Sequence, residues 1–210
     1  MFNETEFGFE YATTSHFVFF GKINCTFDIL QHIYPQFIFR QTKQSHSDIL
    51  IYSTTGSEQV EADAHWTAEK YIALVVKTAD CIPVLVYDEI KNIALAVHAG
   101  WRGVQNQITL KSLNQLSVSQ NLKIYIGPHI QKSSFACDLD IKNLLNPNDS
   151  QFEFKNAKYY VDLKSILKSQ LKLNDFVDLN MDTLTNLNFH SFRRDKQNSG
   201  RNLSFIVKLI

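Results

Sequence analysis

Three cysteines, with no Cys-x-x-Cys pair, are all that this 210-residue chain holds. So small and odd a number excludes a disulfide framework. It fits a reducing cytosol, with a thiol kept as ligand or nucleophile. Net charge is also missing, since Lys plus Arg and Asp plus Glu both total 21. That balance argues against non-specific nucleic-acid binding, which needs many cationic contacts. No apolar run approaches the ~20 residues of a membrane span. The opening stretch MFNETEFGFEYATTSH is acidic and polar, unlike a secretory signal. These absences predict a cytoplasmic protein with neither nucleic acid nor membrane as partner. Internal repeats and low-complexity segments are lacking too. What remains, 44% hydrophobic and 20% charged, describes an ordinary globule able to bury a sizeable core. One domain over residues 1–210 is expected, because the best linker candidate, PNDSQ, is only a loop in size.

Apolar runs at 17–21, 37–40, 49–52, 72–76, 82–87, 93–97, 123–126, 176–179, 188–192 and 203–209 read as strands. Thr26 is placed to cap a short helix ending before Pro35, and Asp162 to cap one whose apolar face is 163, 166, 167 and 171. Residues 140–146 form another short helix. The steps Trp101, Val104, Ile108, Leu113 and Leu116 predict one helix starting at the AGWRG turn. Its N-terminus offers free N–H groups to an anion. Mixed strands, hairpins and helices define an α+β (mixed α/β) layered fold.

The stretch TADCIPVLVYDEIKNIALAVHAGWRG, residues 78–103, organises the rest. A tight turn over Asp88–Lys91 would make facing residues sum to 179 and put Cys81 opposite His98. A thiolate and an imidazole then converge. A cysteine beside an apolar strand is ordinarily a small core residue. The flanking Asp80, the facing His98 and the Pro-containing buried strand that follows weigh against that here, and Gly100 and Gly103 after His98 suggest tight backbone curvature or a close approach. Two chemistries fit. With a second histidine, Cys81 and His98 bind zinc and leave a fourth position open. Alternatively, Cys81 is a nucleophile with His98 as base. RRDKQNSGRN reads as a solvated basic turn from which Arg193 or Arg201 can reach an anionic ligand.

TADCIPVLVYD followed by HAGWRG resembles the signature of the YfiH/YlmD family, also called the multicopper polyphenol oxidase (laccase) or purine nucleoside phosphorylase family. QSH at 44–46, EADAHWT at 61–67, IGPHI at 126–130 and FHSFRRDKQNSGRNLSFI at 189–206 extend the resemblance over most of the chain. It implies a zinc site of His46, Cys81 and His98, for which copper is a competitor. It implies an α/β/β/α sandwich similar to certain cysteine hydrolases. It also implies phosphorolysis of purine nucleosides and methylthioadenosine with inorganic phosphate as co-substrate, and deamination of adenosine. Within that frame Asp80 is a candidate proton carrier beside Cys81, and Gln44 and Arg102 are candidates for substrate or phosphate contact. Alternatives are an editing hydrolase of peptidoglycan precursors, a copper-dependent polyphenol oxidase, and a non-enzymatic metal-binding protein. The chain departs from the family pattern in three places: Lys22 replaces an arginine before a missing Gly-Gly-Val-Ser turn, Phe135-Ala136 replaces Tyr-Glu, and Asp182-Thr183 replaces Cys-Thr. Oligomeric state is not indicated.

Overall fold

The computed structural model describes residues 1–173 and 175–210. In chain order the elements are β1 (Asn3–Glu4), β2 (Gly8–Ala12), β3 (His16–Gly21), α1 (Phe27–Ile33), β4 (Ile38–Gln41), β5 (Leu50–Tyr52), β6 (Ala64–Thr67), β7 (Ile72–Thr78), β8 (Ile82–Asp88) and β9 (Ile93–Ala99). They continue with α2 (Trp101–Gln105), α3 (Ile108–Gln115), β10 (Leu122–Ile126), β11 (Ala136–Cys137), α4 (Leu139–Leu145), β12 (Phe152–Lys155), β13 (Lys158–Val161), α5 (Leu163–Leu171), β14 (Phe176–Asp178), α6 (Phe192–Asp195) and β15 (Asn202–Lys208).

Two six-stranded mixed sheets carry the architecture, ordered β1-β2-β3-β15-β7-β4 and β14-β10-β8-β9-β6-β5. Strand alternation explains their stacking. Phe20, Leu74 and Ile206 of the first sheet and Leu85, Ala94 and Tyr125 of the second share one core between the sheets. Their chain neighbours point outward. Phe19, Val75 and Phe205 pack with Leu30 of α1. Val84, Val97 and Ile124 pack with Val104, Leu113 and Ile166 of α2, α3 and α5. Sheets buried on both faces need near-continuous apolar strands, which β7, β8 and β9 supply. The result is the expected four-layer α/β/β/α arrangement. A small sheet, β11-β13-β12, lies outside the two main ones.

Both predicted caps are present: Thr26 Oγ1 accepts from Ile29 N at 3.3 Å, and Asp162 Oδ1 from Ser165 N at 2.8 Å. Four local expectations are corrected. The hairpin pairs Asp88 with Ile93 and Pro83 with His98, so facing residues sum to 181. The Asp88 carboxylate accepts from the amides of Ile90 and Lys91, and Asn92 adopts φ 55°, building a loop two residues longer than a tight turn. The single helix after AGWRG is broken into α2 and α3 at Gln107, whose φ is 58°. Segment 188–192 is not a strand; residues 188–191 are irregular chain, Ser191 caps α6 through its hydroxyl, and Phe192 opens that helix. Finally, β6 lies in the stretch EADAHWT, which carried no strand expectation.

Candidate metal centre

A register shift of two leaves every side chain on its original face. Cys81 therefore continues the β8 face toward Gly100, and His98 stands diagonally beside it on β9. The same parity as Leu85 and Ala94 turns both toward the space between the sheets. His46 arrives from the loop after β4, with a left-handed φ of 62°. The donor atoms of His46, Cys81 and His98 lie within 4.8 Å of one another. Cys81 Sγ is 3.9 Å from His46 Nε2, and the two imidazole rings meet edge to face with centroids 4.9 Å apart.

Gly100 makes this convergence possible. A Cβ there would stand 2.9 Å from Cys81 Sγ and 2.9 Å from His46 Cδ2. Tetrahedral zinc with ordinary Zn–N and Zn–S bonds separates its nitrogen and sulfur ligands by about 3.5 Å, close to the spacing found. Two imidazoles, one thiol and a cradle kept clear by glycine fit a zinc ion with one position open.

Asp63, fully buried before β6, holds two of the three donors. Its Oδ1 lies 2.6 Å from His98 Nδ1, which fixes that ring and leaves Nε2 to face a metal. The same carboxylate accepts from the backbone amides of Ser45, His46 and Ser47 and from the Ser47 hydroxyl, at 2.7–3.1 Å. Burial alone would raise the Asp63 pKa, but the hydrogen bonds from His98 and Ser47 dominate and hold it at about 2. Burial likewise opposes ionisation of Cys81, yet the neighbouring His98 and His46 bring its thiol down to about 6. His98 itself is pushed up to about 9: burial acts against this, and the Cys81 thiolate and Asp63 outweigh it. Both shifts favour a thiolate–imidazolium pair at Cys81 and His98 in the metal-free protein.

The remaining sequence candidates are placed differently. Gln44 does not extend into the pocket through its amide. Its Nε2 donates to Lys77 O and its Oε1 accepts from Lys77 N, both at 2.8 Å, like a strand residue. Asp80, at φ 84°, accepts from the Thr183 hydroxyl at 2.7 Å and the Arg193 amide at 2.6 Å. Arg102 lies over the Trp101 ring, 4.4 Å from its centroid. All three line a pocket of about 700 Å³ that includes the metal donors. Sequence reasoning missed the roles of Asp63 and Gly100, and missed Lys43, Lys77 and Lys196 as pocket cations. Asp63 had one signal, its place in the EADAHWT segment; the lysines had none.

Fold and site together define a four-layer α/β/β/α protein with a His-Cys-His cluster able to hold a metal ion at one end of its inter-sheet core. Residues 30–208 match the family described as multi-copper polyphenol oxidoreductase laccase, and the chain belongs to that family. Among its relatives, a purine nucleoside phosphorylase of Clostridium acetobutylicum is 33% identical over 79% of this chain and 75% of its own length. One of Staphylococcus epidermidis is 30% identical, covering 85% and 77%. In fold, the chain is similar to the Bacillus licheniformis hypothetical protein YfiH (TM-score 0.87, 18% identity, 100% and 99% covered). YlmD of Geobacillus stearothermophilus gives a TM-score of 0.87 at 19% identity, with the same coverage.

Proposed function

We propose that this chain is a zinc-dependent purine nucleoside phosphorylase that also cleaves methylthioadenosine and deaminates adenosine, acting in the cytoplasm as one domain over residues 1–210. No helix among the described residues is long and apolar enough to cross a membrane. The observation that carries the reading is a three-donor centre in a pocket rich in cations, in a chain whose relatives bear the phosphorylase name.

His46, Cys81 and His98 would hold the zinc, which supplies a Lewis acid at its open position. Phosphorolysis forms a bond from a phosphate oxygen to ribose C1′ and breaks the bond from C1′ to the purine nitrogen. Arg102, in the first turn of α2, holds and orients the phosphate. Trp101, Phe135 and Phe192 form apolar walls for the purine. Asp80 keeps the Arg193 segment against the Cys81 loop through its two hydrogen bonds. Gln44 fixes the loop that delivers His46.

Zinc-loaded protein incubated with inosine, adenosine or methylthioadenosine plus phosphate should release free base and a ribose 1-phosphate, read by chromatography. Adenosine without phosphate should give inosine. Chelation should abolish all of these, and zinc should restore them. No base release from any nucleoside would overturn the reading. Phenol oxidation restored by copper and not by zinc would replace it.

A further inference from the structure

We propose that the pocket accepts nucleosides already carrying a 5′-phosphate, with Lys43 and Lys77 forming a second phosphate site apart from that of the co-substrate. The inference rests on the phosphorylase reading and specifies its substrate. Six cations line the pocket: Lys43, Lys77, Arg102, Arg193, Lys196 and Arg201. Among the described residues none of them joins an ion pair, although the chain as a whole has as many acids as bases. The single carboxylate in the lining, Asp80, is already engaged by Thr183 and the Arg193 amide. Like charges gathered in a concave, partly apolar site repel one another and concentrate anions. One phosphate dianion is matched by two or three of them, and the rest remain uncompensated.

The cations fall into separate groups in the chain. Arg102 follows Gly100, which adjoins the metal donors. Arg193, Lys196 and Arg201 belong to α6 and the turn after it. Lys43 and Lys77 come from a third place, where the segments that carry them are tied together. The paired 2.8 Å bonds between the Gln44 amide and the Lys77 backbone hold the residue after Lys43 against Lys77. Lys43 N is anchored to Val60 O at 2.9 Å. The pocket, at about 700 Å³, lies in the range that takes a whole nucleotide-sized ligand. With inosine 5′-monophosphate, inorganic phosphate would bond to C1′ and hypoxanthine would leave with the glycosidic electron pair, taking a proton from solvent. The sugar product is ribose 1,5-bisphosphate.

The test is calorimetric titration of the zinc-loaded chain with inosine and with inosine 5′-monophosphate, at low and high salt. The nucleotide should bind about tenfold tighter or better at low salt, and the advantage should shrink as salt screens it. In the double variant Lys43→Ala/Lys77→Ala, the ratio of the two affinities should fall by about tenfold, with the thermal melt confirming the fold. Equal affinity for nucleoside and nucleotide overturns the proposal, as does a ratio that the double variant leaves in place. Inosine phosphorolysis measured alongside separates the two failures. Inosine cleaved without a nucleotide preference sinks only the second phosphate site, whereas preferential nucleotide binding with no cleavage of either substrate sinks only the enzymatic reading.

Discussion

Gly100 contributes more to the centre through what it lacks than any neutral side chain could through what it offers. Its backbone, at φ −70° and ψ 175°, is open to any residue. The requirement for glycine is therefore purely one of space, set by Cys81 and His46 at 2.9 Å from the missing Cβ. Gly100→Ala should fold normally, because its conformation is unstrained, yet force sulfur and imidazole apart. A loss of about tenfold or more in zinc affinity is expected, comparable with other perturbations around metal ligands. Competition with a chromophoric chelator measures the affinity, and a melt of the metal-free protein checks the fold. Unchanged affinity would show that the loop absorbs the methyl group. In the sequence, the convergence of Cys81 and His98 was legible from strand alternation. Gly100 was legible only as a site of close approach, since which atoms approach it depends on a histidine delivered by a loop over fifty residues earlier.

At the scale of elements, Asp63 ties the loop that carries His46 to the strand that carries His98. Replacing it by Asn removes half of its acceptors and introduces an N–H₂ that faces backbone amides already donating. Asp63→Asn should therefore lower zinc affinity by about 10–100-fold. Amide exchange at Ser45–Ser47 should rise because those N–H groups lose their acceptor. Exchange that stays slow, with affinity retained, would remove Asp63 from this role. Local chemistry announced the elements well where it was self-contained: Thr26 and Asp162 cap α1 and α5 as expected. It failed where tertiary partners decide. The hairpin register depends on Asp88, which also accepts from Ser119 N and Oγ, 31 residues away. The break at Gln107 interrupts no apolar period, so periodicity runs through it. Residues 188–192 look like a strand, yet Phe189 is buried in the inter-sheet core from a loop, and Ser191 spends its side chain capping α6.

Among the described residues three buried histidines, His16, His65 and His129, have lowered pKa values, and this sets the acid sensitivity of the whole molecule. His16 is 1% exposed; Nε2 lies 2.6 Å from the Tyr125 hydroxyl, Nδ1 lies 2.9 Å from Ser15 Oγ, and the ring stacks on Tyr87 at 4.4 Å. Burial first, and Lys123 second, lower its pKa to about 4. His65, fully buried on β6 beside Ser53, is lowered by burial to about 4 as well. In the unfolded chain both titrate near 6.5. Between about 6.5 and 4 the unfolded state therefore binds more protons than the folded one, and stability rises with pH. Their stabilising effect is complete above the unfolded value and lost as pH falls toward 4, by at most about 3 kcal/mol for each histidine. Asp63, held at about 2, extends the same trend to lower pH. His98 of the metal-free protein acts in the opposite sense, because its raised pKa stabilises the folded state at low pH and that contribution fades as pH climbs through about 9. Denaturant melts from pH 8 to 4.5 on the zinc-loaded protein should show a loss that steepens below about 6.5, to which the metal ligands add the protons they take up once zinc is released. In His16→Gln the slope should flatten by roughly one proton's worth. An unchanged slope, or a His16 ring resonance that titrates near 6.5 in the folded protein, would rule out the buried-histidine origin of the acid limb.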